Sequence, residues 1–305
     1  MQMLRHESPD GTSIAVYRWD PSGPARGVVH VSHGMAEHAR RYARFAEALT
    51  ARGFVVYAND HRGHGDSLVP GGALGHMGDD DSFERAVEDL TRMLRDERAA
   101  HPGLPLVLFA HSMGSFFGQR LVSAYPSDVD ALILSGTNGP PPAIAGAGRG
   151  GPRRAQCGSE EEAERRRSSR SATSTSPFEG RTEFDWLSRD PAEVDLYVND
   201  PLCGFGISTQ SWVDLLDALG GLTKPGALAH VAKALPGSTS CRASATRFGG
   251  NGAGPKKLVE LYRAAGISDV TLDLLPGARH EVLNETNRDE TTAKLVAWLE
   301  SKLSI

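Results

Sequence analysis

The sequence predicts an α/β fold, a doubly wound and mostly parallel sheet with a helical segment inserted into it. Two observations predict this class. Short apolar runs alternate with amphipathic helical periodicity over residues 1–140, and the alternation returns over residues 256–303. Such alternation is typical of parallel strands joined by crossover helices. Because open sheets of this kind bind ligands at the carboxyl ends of their strands, we expect the functional site there.

The predicted strands are short and apolar, and β-branched residues are frequent in them. They span residues 13–19, 27–32, 54–58, 106–110, 131–135 and 270–275. The predicted helices carry apolar residues at intervals of three and four, which places those residues on one helical face. They span residues 40–52, 82–100, 115–123, 256–265 and 288–303. These elements together make one domain.

The strand–helix alternation stops after Gly139, which indicates an insertion over residues 141–222. Residues 183–221 are expected to be helical and to cover the carboxyl ends of the strands as a cap. The core of the fold is then formed by residues 1–140 and 223–305. Within the insertion, residues 150–176 contain runs of Glu, Arg and Ser with very few apolar side chains. That composition predicts a solvated, disordered loop.

A nucleophile motif lies in residues 105–114, Pro-Leu-Val-Leu-Phe-Ala-His-Ser-Met-Gly. An apolar strand there ends in a small residue, x, Ser112, x and Gly114, and a helical segment follows. This pattern predicts a sharp strand-to-helix turn that exposes one serine hydroxyl, the nucleophile elbow of an α/β-hydrolase. Ala110 stands where the first glycine is usual. An ordinary turn is the alternative, which the preceding strand and the partners below make the weaker interpretation.

His280 is the predicted base for Ser112. The chain order of this fold is serine, acid, histidine, and His280 lies in a loop between the strand 270–275 and the last helix. A surface loop histidine is the alternative. An imidazole with a pKa near neutrality would take the Ser112 proton and later return it to the leaving group.

Two backbone N–H groups are expected to bind the developing oxyanion. One belongs to Met113, directly after the nucleophile, and the other to Met35 in the loop 33–38 that follows the second strand. Glu37 and His38 are expected to brace this loop rather than to react. The polar segment 60–67, Asp-His-Arg-Gly-His-Gly-Asp-Ser, could be taken for a metal cluster. Its ligands crowd together without a distant partner, which favours a structural turn.

Composition excludes several classes of function. The net charge of −5 comes without a basic stripe, which argues against nucleic acid as a partner. The 3 cysteines are an odd number without metal-ligand spacing, which indicates a reducing compartment and no disulfide framework. The first residues lack an apolar signal region, and no apolar run reaches the roughly 18 residues of a membrane helix. A cytoplasmic protein is expected.

These residues together resemble the monoacylglycerol lipase and lysophospholipase family of capped α/β-hydrolases. The resemblance extends over residues 33–38, 60–67, 111–114, 181–205 and 275–287. The sequence Pro-Gly-Ala-Arg-His-Glu at 276–281, followed by Asn-Glu at 284–285, is especially characteristic. The resemblance implies hydrolysis of a monoacylglycerol or a similar lysolipid ester, with an apolar cap face that guides the acyl chain and allows transient contact with a membrane surface. It implies no metal and no organic cofactor.

One element of the family pattern is missing. Members of the family have an aspartate, usually in Asp-Pro-Val, at the end of the strand before Gly-Gly-Asn-Gly. Here Gly-Gly-Asn-Gly stands at 249–252, but Thr246 occupies the expected acid position and no carboxylate occurs between Leu235 and Gly254. Without the acid, His280 loses the group that fixes its tautomer, and we expect weak activity.

A codon argument suggests an origin for the lesion. Residues 243–248, Ala-Ser-Ala-Thr-Arg-Phe, can be encoded so that another reading frame gives Glu-Arg-Asp-Pro-Val. Residues 171–178 can likewise be encoded so that another frame gives Gly-Asp-Phe-Asn-Lys-Pro-Phe. The hypothesis is that the stretches 150–176 and 236–248 are frame-shifted, and resequencing of the source DNA tests it.

Three functional hypotheses therefore compete. The first is a serine hydrolase that acts on lipid esters. The second is another reaction on the same fold, namely small-ester hydrolysis, acyl transfer or peptide hydrolysis. The third is a catalytically dead relative. Covalent labelling of Ser112 by a fluorophosphonate separates the first two from the third, and preference for long acyl chains separates the first from the second.

Overall fold

The computed structural model describes residues 1–139, 180–222, 228, 242–244, 252–267 and 269–303, with 242–244 as backbone. The strands of this part of the chain are β1 (Gln2–Glu7), β2 (Ser13–Trp19), β3 (Gly27–Ser32), β4 (Phe54–Asn59), β5 (Leu106–His111), β6 (Ala131–Ser135), β7 (Arg242–Ser244) and β8 (Leu272–Asp273). Its α-helices are α1 (Ala43–Thr50), α2 (Ser82–Ala100), α3 (Met113–Ala124), α4 (Pro191–Asn199), α5 (Thr209–Leu222), α6 (Ala253–Ala264) and α7 (Arg288–Leu303).

The strands of the described residues form one sheet in the order β1-β2-β4-β3-β5-β6-β7-β8. The first two pairings, β1 with β2 and β2 with β4, are antiparallel. Every later pairing is parallel. The observed topology is therefore the mostly parallel, doubly wound sheet that the sequence predicts.

The core lies on both faces of the sheet, and β5 shows why. Its side chains alternate between two hydrophobic clusters, with Leu106 and Leu108 in one and Val107 and Phe109 in the other. The first cluster includes residues of α2, α3 and α6, and the second includes residues of α1 and α7. Because both faces are covered, β3, β4, β5 and β6 are buried along their whole length, which explains why their sequences are mostly apolar.

Several boundaries differ from the sequence-based predictions. The helix expected over 40–52 begins as a 3₁₀ turn, Ala39–Tyr42, before α1. The strand expected over 270–275 is reduced to β8. The edge strand β1 was not predicted, because its side chains are largely exposed and its sequence lacks apolar alternation.

The region 183–221, expected to be helical, contains the two helices α4 and α5. The N-terminal cap of α4 is Asp190, whose side chain accepts the Ala192 N–H at 3.0 Å, and Pro191 follows at the first helical position. The helix ends before Asp200-Pro201, because a proline disfavours helical geometry in the residue that precedes it.

The position of Thr246 and the stretches 150–176 and 236–241 lie outside the described residues. The predictions made for them, including the frame-shift hypothesis, therefore remain predictions. The part of the insertion that the structure describes begins at Gly180. Its helix α5 packs against α2 and α3, and Leu215 of α5 joins the core.

Candidate active site

Ser112 lies at the turn between β5 and α3 with φ +51° and ψ −117°. This backbone conformation is unfavourable for a residue with a Cβ, and the surrounding hydrogen bonds hold it in place. The Ser112 N–H donates to Ser135 O at 2.9 Å, and Ser112 O accepts the Ser115 N–H at 2.9 Å. A Cβ on Gly114 would lie 2.5 Å from the carbonyl oxygens of Ser32 and His33, so the turn requires glycine there.

The His280 ring reaches the Ser112 hydroxyl. The distance between His280 Nε2 and Ser112 Oγ is 2.8 Å, although the two residues lie 168 positions apart. His280 is 5 % exposed. Burial, together with the neighbouring His111, lowers the pKa of His280 to about 3. The imidazole is therefore neutral at pH 7 and can accept a proton at Nε2 from the Ser112 hydroxyl.

Two rings surround the His280 imidazole. The His111 ring lies 4.8 Å from it between centroids, and the Trp186 ring lies 5.0 Å from it. The backbone of the same loop is also held, because the His280 N–H donates to Trp186 O at 3.2 Å and the Glu281 N–H donates to Leu187 O at 2.8 Å. No local sequence pattern predicts the role of Trp186, because its contact with His280 joins two loops that are distant along the chain.

The backbone groups expected to form an oxyanion hole lie on either side of Ser112. Met113 is the first residue of α3, where helix geometry leaves the N–H without an intrahelical partner. On the other side, a Cβ on Gly34 would lie 3.1 Å from Ser112 Cβ, so the peptide preceding Met35 is next to the serine. His33 Nδ1 donates to Gly34 O at 2.7 Å and thereby fixes the plane of the Gly34–Met35 peptide.

Glu37 braces the loop 33–38, as the sequence predicts for it. Its carboxylate accepts the Gly34 N–H and the Tyr42 hydroxyl, the latter at 2.9 Å. Ala36 has a positive φ of +54°, and its carbonyl accepts the Tyr197 hydroxyl at 2.8 Å. His38 Nε2 lies 2.9 Å from Asp200 Oδ2. Contacts from the α4 region therefore hold the loop that carries Met35.

Arg41 joins this loop to the loop of His280. Its guanidinium makes two 2.7 Å hydrogen bonds to the Glu281 carboxylate and a further one to Glu37. Burial alone would raise the pKa of Glu281, but Arg41 lowers it to about 2. Burial and the nearby Glu281 charge raise the pKa of Glu37. Glu281 is thus directed toward Arg41, and its charge acts on His280 only through space.

The segment 60–67 is a structural turn. Asp60 accepts the Ala39 and Asp66 N–H groups, each at 2.8 Å. Arg62 is 2 % exposed and binds Asp89 at 2.8 Å. These hydrogen bonds tie the segment to its neighbours, as the sequence predicts.

Two clusters of side chains among the described residues have donor atoms within 4.8 Å of one another and could hold a metal ion. They are His38 with Asp200 and Cys203, and Glu37 with His111 and Glu281. In the second cluster the Arg41 guanidinium already neutralises the carboxylates. In the first, His38 is paired with Asp200. Both sets of donors thus have partners within the protein.

A mostly parallel sheet that carries a strained serine at the turn after its central strand defines the α/β-hydrolase class. The chain belongs to the Hydrolase_4 family, described as serine aminopeptidase, S33, whose model matches residues 23–287. Its relatives make it a monoacylglycerol lipase-like member of that class and a carboxylic ester hydrolase.

The chain is 32% identical to a monoacylglycerol lipase of Mycolicibacterium smegmatis over 96% of its own length and 95% of that protein. It is 28% identical to the human monoglyceride lipase, over 90% of this chain and 82% of that one. Among solved structures, a thermostable carboxyl esterase from Bacillus coagulans, crystallised with glycerol, superposes with a TM-score of 0.80 at 26% identity and covers 99% of this chain and 98% of its own.

Among the described residues, no helix has the combination of length and apolar character that crossing a membrane requires.

Proposed function

We propose that the protein cleaves the ester bond of a monoacylglycerol or a lysophospholipid, with Ser112 as nucleophile and His280 as general base. The observation that carries the proposal is the 2.8 Å contact between His280 Nε2 and Ser112 Oγ at a strained elbow. The substrate class is supported by the monoacylglycerol lipase of M. smegmatis and by lysophospholipase L2 of Escherichia coli, which is 33% identical over 110 residues.

In the first half-reaction, the Ser112 oxygen attacks the ester carbonyl carbon while His280 Nε2 takes the hydroxyl proton. The carbonyl oxygen becomes an oxyanion, which the Met35 and Met113 N–H groups bind. The C–O bond to the alcohol then breaks, and His280 returns the proton to the departing oxygen. The alcohol leaves as glycerol from a monoacylglycerol or as a glycerophosphodiester from a lysophospholipid, and the acyl group stays on Ser112.

In the second half-reaction, water attacks the acyl-enzyme and His280 takes one of its protons. A second oxyanion forms between the same two N–H groups. Its collapse breaks the bond to Ser112, which regains the proton from His280, and a fatty acid leaves. The cycle is balanced by one water and needs no cofactor.

The proposal assigns residues 141–222 to a cap over the strand ends. The described part of that range contains exposed apolar side chains, among them Leu196 of α4, which is 66% exposed, and Leu216 of α5, which is 46% exposed. We propose that these side chains make transient contact with lipid, which would bring an insoluble ester to the site. Co-sedimentation with phosphatidylcholine vesicles tests it, and the Leu196→Ser/Leu216→Ser variant should sediment less than the unaltered protein.

The nucleophile is tested by a fluorophosphonate probe followed by peptide mapping. We expect the label on Ser112, and none on Ser112→Ala. A catalytically dead relative would leave the serine unlabelled. Absence of the label on a correctly folded protein would therefore contradict the proposal.

Substrate class is tested by comparing monoacylglycerols of increasing chain length with short p-nitrophenyl esters, aminoacyl p-nitroanilides and an acyl acceptor alcohol. Higher kcat/KM on long-chain monoacylglycerols supports the lipid-ester assignment. Higher kcat/KM on short esters indicates a general esterase, and turnover of anilides indicates a peptidase. A transesterified product that dominates over free fatty acid indicates an acyltransferase.

A further inference from the structure

The loop of His280 is held by a segment of the insertion. Residues 185–190, which precede α4, run alongside the loop 279–285. Two backbone hydrogen bonds join them, from the His280 N–H to Trp186 O and from the Glu281 N–H to Leu187 O. The Ser188 hydroxyl donates to Asn284 O at 2.6 Å. The catalytic histidine is therefore anchored to the base of the insertion as well as to the hydrolase core.

Charged side chains strengthen this attachment. Arg279, directly before His280, donates to the carbonyl oxygens of Asp185 and Ser188. Arg189 donates to the Glu285 carboxylate at 2.7 Å, and Glu285 also accepts the Arg279 N–H at 2.6 Å. Glu285 is fully buried, so these bonds are shielded from water. The 185–190 segment therefore has a fixed position relative to the histidine.

In this position the Trp186 ring contacts the His280 imidazole, the proposed general base. Its ring centroid lies 5.0 Å from that of His280, with 48° between the ring planes. The imidazole is joined to the backbone by two rotatable bonds, and its side-chain torsions must be held for Nε2 to stay near the Ser112 hydroxyl. In an intact serine–histidine–acid site the acid supplies part of that restraint. Here a threonine, Thr246, stands at the acid position in the sequence.

The indole ring of Trp186 is also compatible with the positive charge that forms on the His280 imidazole during the reaction. When Nε2 takes the Ser112 proton, the imidazole becomes a cation in a buried site, and burial disfavours that cation. An indole ring attracts a nearby cation through its π electrons, and tryptophan does so more strongly than the other aromatic side chains. A ring at this distance restricts the imidazole, and its π electrons would favour the charged form.

We propose that Trp186 is a positioning residue for His280, holding the imidazole within reach of Ser112 through ring contact and through its backbone carbonyl. The inference rests on the proposed roles of Ser112 and His280. It differs from a packing role, which predicts a loss of stability only. It also differs from a role in lining the acyl site, which predicts a change in KM.

The experiment compares Trp186→Leu and Trp186→Phe with Trp298→Leu. Trp298 is a matched control because it is also half-buried and packs on the α7 side of the core. The readouts are the second-order rate of Ser112 labelling by a fluorophosphonate, kcat and KM on a monoacylglycerol, and the thermal midpoint. Because leucine has no π system, Trp186→Leu should lower the labelling rate and kcat by roughly tenfold with KM unchanged.

The conservative variant Trp186→Phe separates the effect of an aromatic ring from the effect of side-chain volume. Trp186→Phe retains an aromatic face and should recover most of the labelling rate, while Trp298→Leu should label as fast as the unaltered protein. Equal rates for Trp186→Leu and Trp298→Leu, a change confined to KM, or a Phe variant that folds normally but is as slow as the Leu variant would each overturn the inference.

The outcomes also separate this inference from the proposed function. If Ser112 of the unaltered protein is labelled but no ester is turned over, the assignment as an ester hydrolase on lipids fails while the labelling rates still decide the role of Trp186. If Ser112 is not labelled at all, both proposals are wrong.

Discussion

A single strained residue sets the geometry of the site. Ser112 has a positive φ that costs of the order of 1–3 kcal/mol for a residue with a side chain. The turn that imposes this strain directs the hydroxyl to His280 Nε2. The close approach at Gly114 shows that the elbow depends on a glycine as well as on the serine. The proposed chemistry thus depends on backbone shape before any side chain reacts.

Thr246, at the position where the family pattern has an aspartate, gives a prediction for one residue. Because the comparable acid in a serine protease is worth about 10⁴ in turnover, this protein should hydrolyse esters far more slowly than a relative that has the aspartate. Thr246→Asp should recover part of the activity, since a carboxylate would fix the tautomer of His280 and stabilise its cation. The measurement is ester turnover of the unaltered chain, Thr246→Asp and Ser112→Ala.

Thr246→Asn is the matched control, because it has the shape of the aspartate without its charge. It should stay close to the unaltered chain. Full turnover in the unaltered chain would show that another carboxylate serves His280, and the assignment of the lesion to position 246 would then be wrong.

At the scale of elements, Arg41 is the link between the loop 33–38 and the loop of His280. Its side chain is 11% exposed, and both of its carboxylate partners are almost fully buried. Its guanidinium also lies 4.8 Å from the Tyr197 ring of α4. The Arg41 side chain thus contacts three separate segments, namely the loop 33–38, the loop of His280 and α4.

Arg44, one turn later, offers a matched comparison. It makes a similar two-pronged pair with Glu193, but its side chain is 48% exposed. Arg41→Met should lower the free energy of unfolding by about 3–5 kcal/mol, because it leaves two carboxylates buried without a counter-charge. Arg44→Met should lower it by less than about 1 kcal/mol. Urea denaturation measures both values.

The ester turnover of the same two variants extends the test. Arg41→Met should reduce turnover because the Met35 and His280 loops lose their common anchor, and Arg41→Lys should recover part of it. Arg44→Met should keep full turnover. Equal stability losses in Arg41→Met and Arg44→Met would contradict the role of Arg41 as a link.

The elements that the sequence predicted well are those whose pattern arises from burial. The strands Gly27–Ser32 and Ala131–Ser135 and the helix Ser82–Ala100 have the bounds expected from their apolar patterns. The edge strand β1 was missed because an edge buries little, and β8 is shorter than its apolar pattern suggests. The local pattern of apolar residues shows which face of an element is buried. It is less informative for a strand at the edge of a sheet, because such a strand buries fewer side chains.

The candidate site shows the same division. Motifs with fixed positions relative to strands predict Ser112, His280, Met35 and Met113. The structure places Ser112 next to His280 and next to Gly34, which precedes Met35, while the oxyanion role of the Met35 and Met113 N–H groups stays a prediction. No motif predicts a role in the site for Trp186 or Arg41, although Arg41 lies shortly after the loop 33–38 in the sequence. Their partners lie far away along the chain, 240 residues in the case of Arg41 and Glu281. Such contacts leave no periodic signal in the sequence.

At the scale of the whole molecule, buried histidines among the described residues make stability sensitive to acid. The pKa values of five of them are lowered chiefly by burial: His33, His61, His64, His111 and His280. The folded state keeps these rings neutral, whereas the unfolded chain binds protons near pH 6.5. Three buried carboxylates and His30 among the described residues act in the opposite direction. Burial raises the pKa values of Glu37, Asp60 and Glu97, and the Glu97 carboxylate raises the pKa of His30 against the effect of burial. The histidines with lowered pKa values outnumber these groups, so stability should fall as the pH drops below 6.5.

One histidine isolates this effect away from the reacting groups. His64 has a pKa lowered to about 4, and its Nδ1 lies 3.1 Å from Arg62 O. Its stabilising contribution is complete above pH 6.5 and is lost progressively as the pH falls toward 4, because the unfolded state gains a proton that the folded state does not bind. Between pH 6.5 and 5 the loss is about 2 kcal/mol. The free energy of unfolding, measured by urea denaturation at both pH values, should therefore fall more for the unaltered protein than for His64→Gln by about that amount.

His64→Gln removes the titrating ring. Any stability that this variant loses at neutral pH does not affect the comparison, because only the change in unfolding free energy between the two pH values is compared. Parallel pH dependences for the two proteins would show that the pKa of His64 is the same in the folded and unfolded states, and would contradict the account of acid sensitivity given by burial.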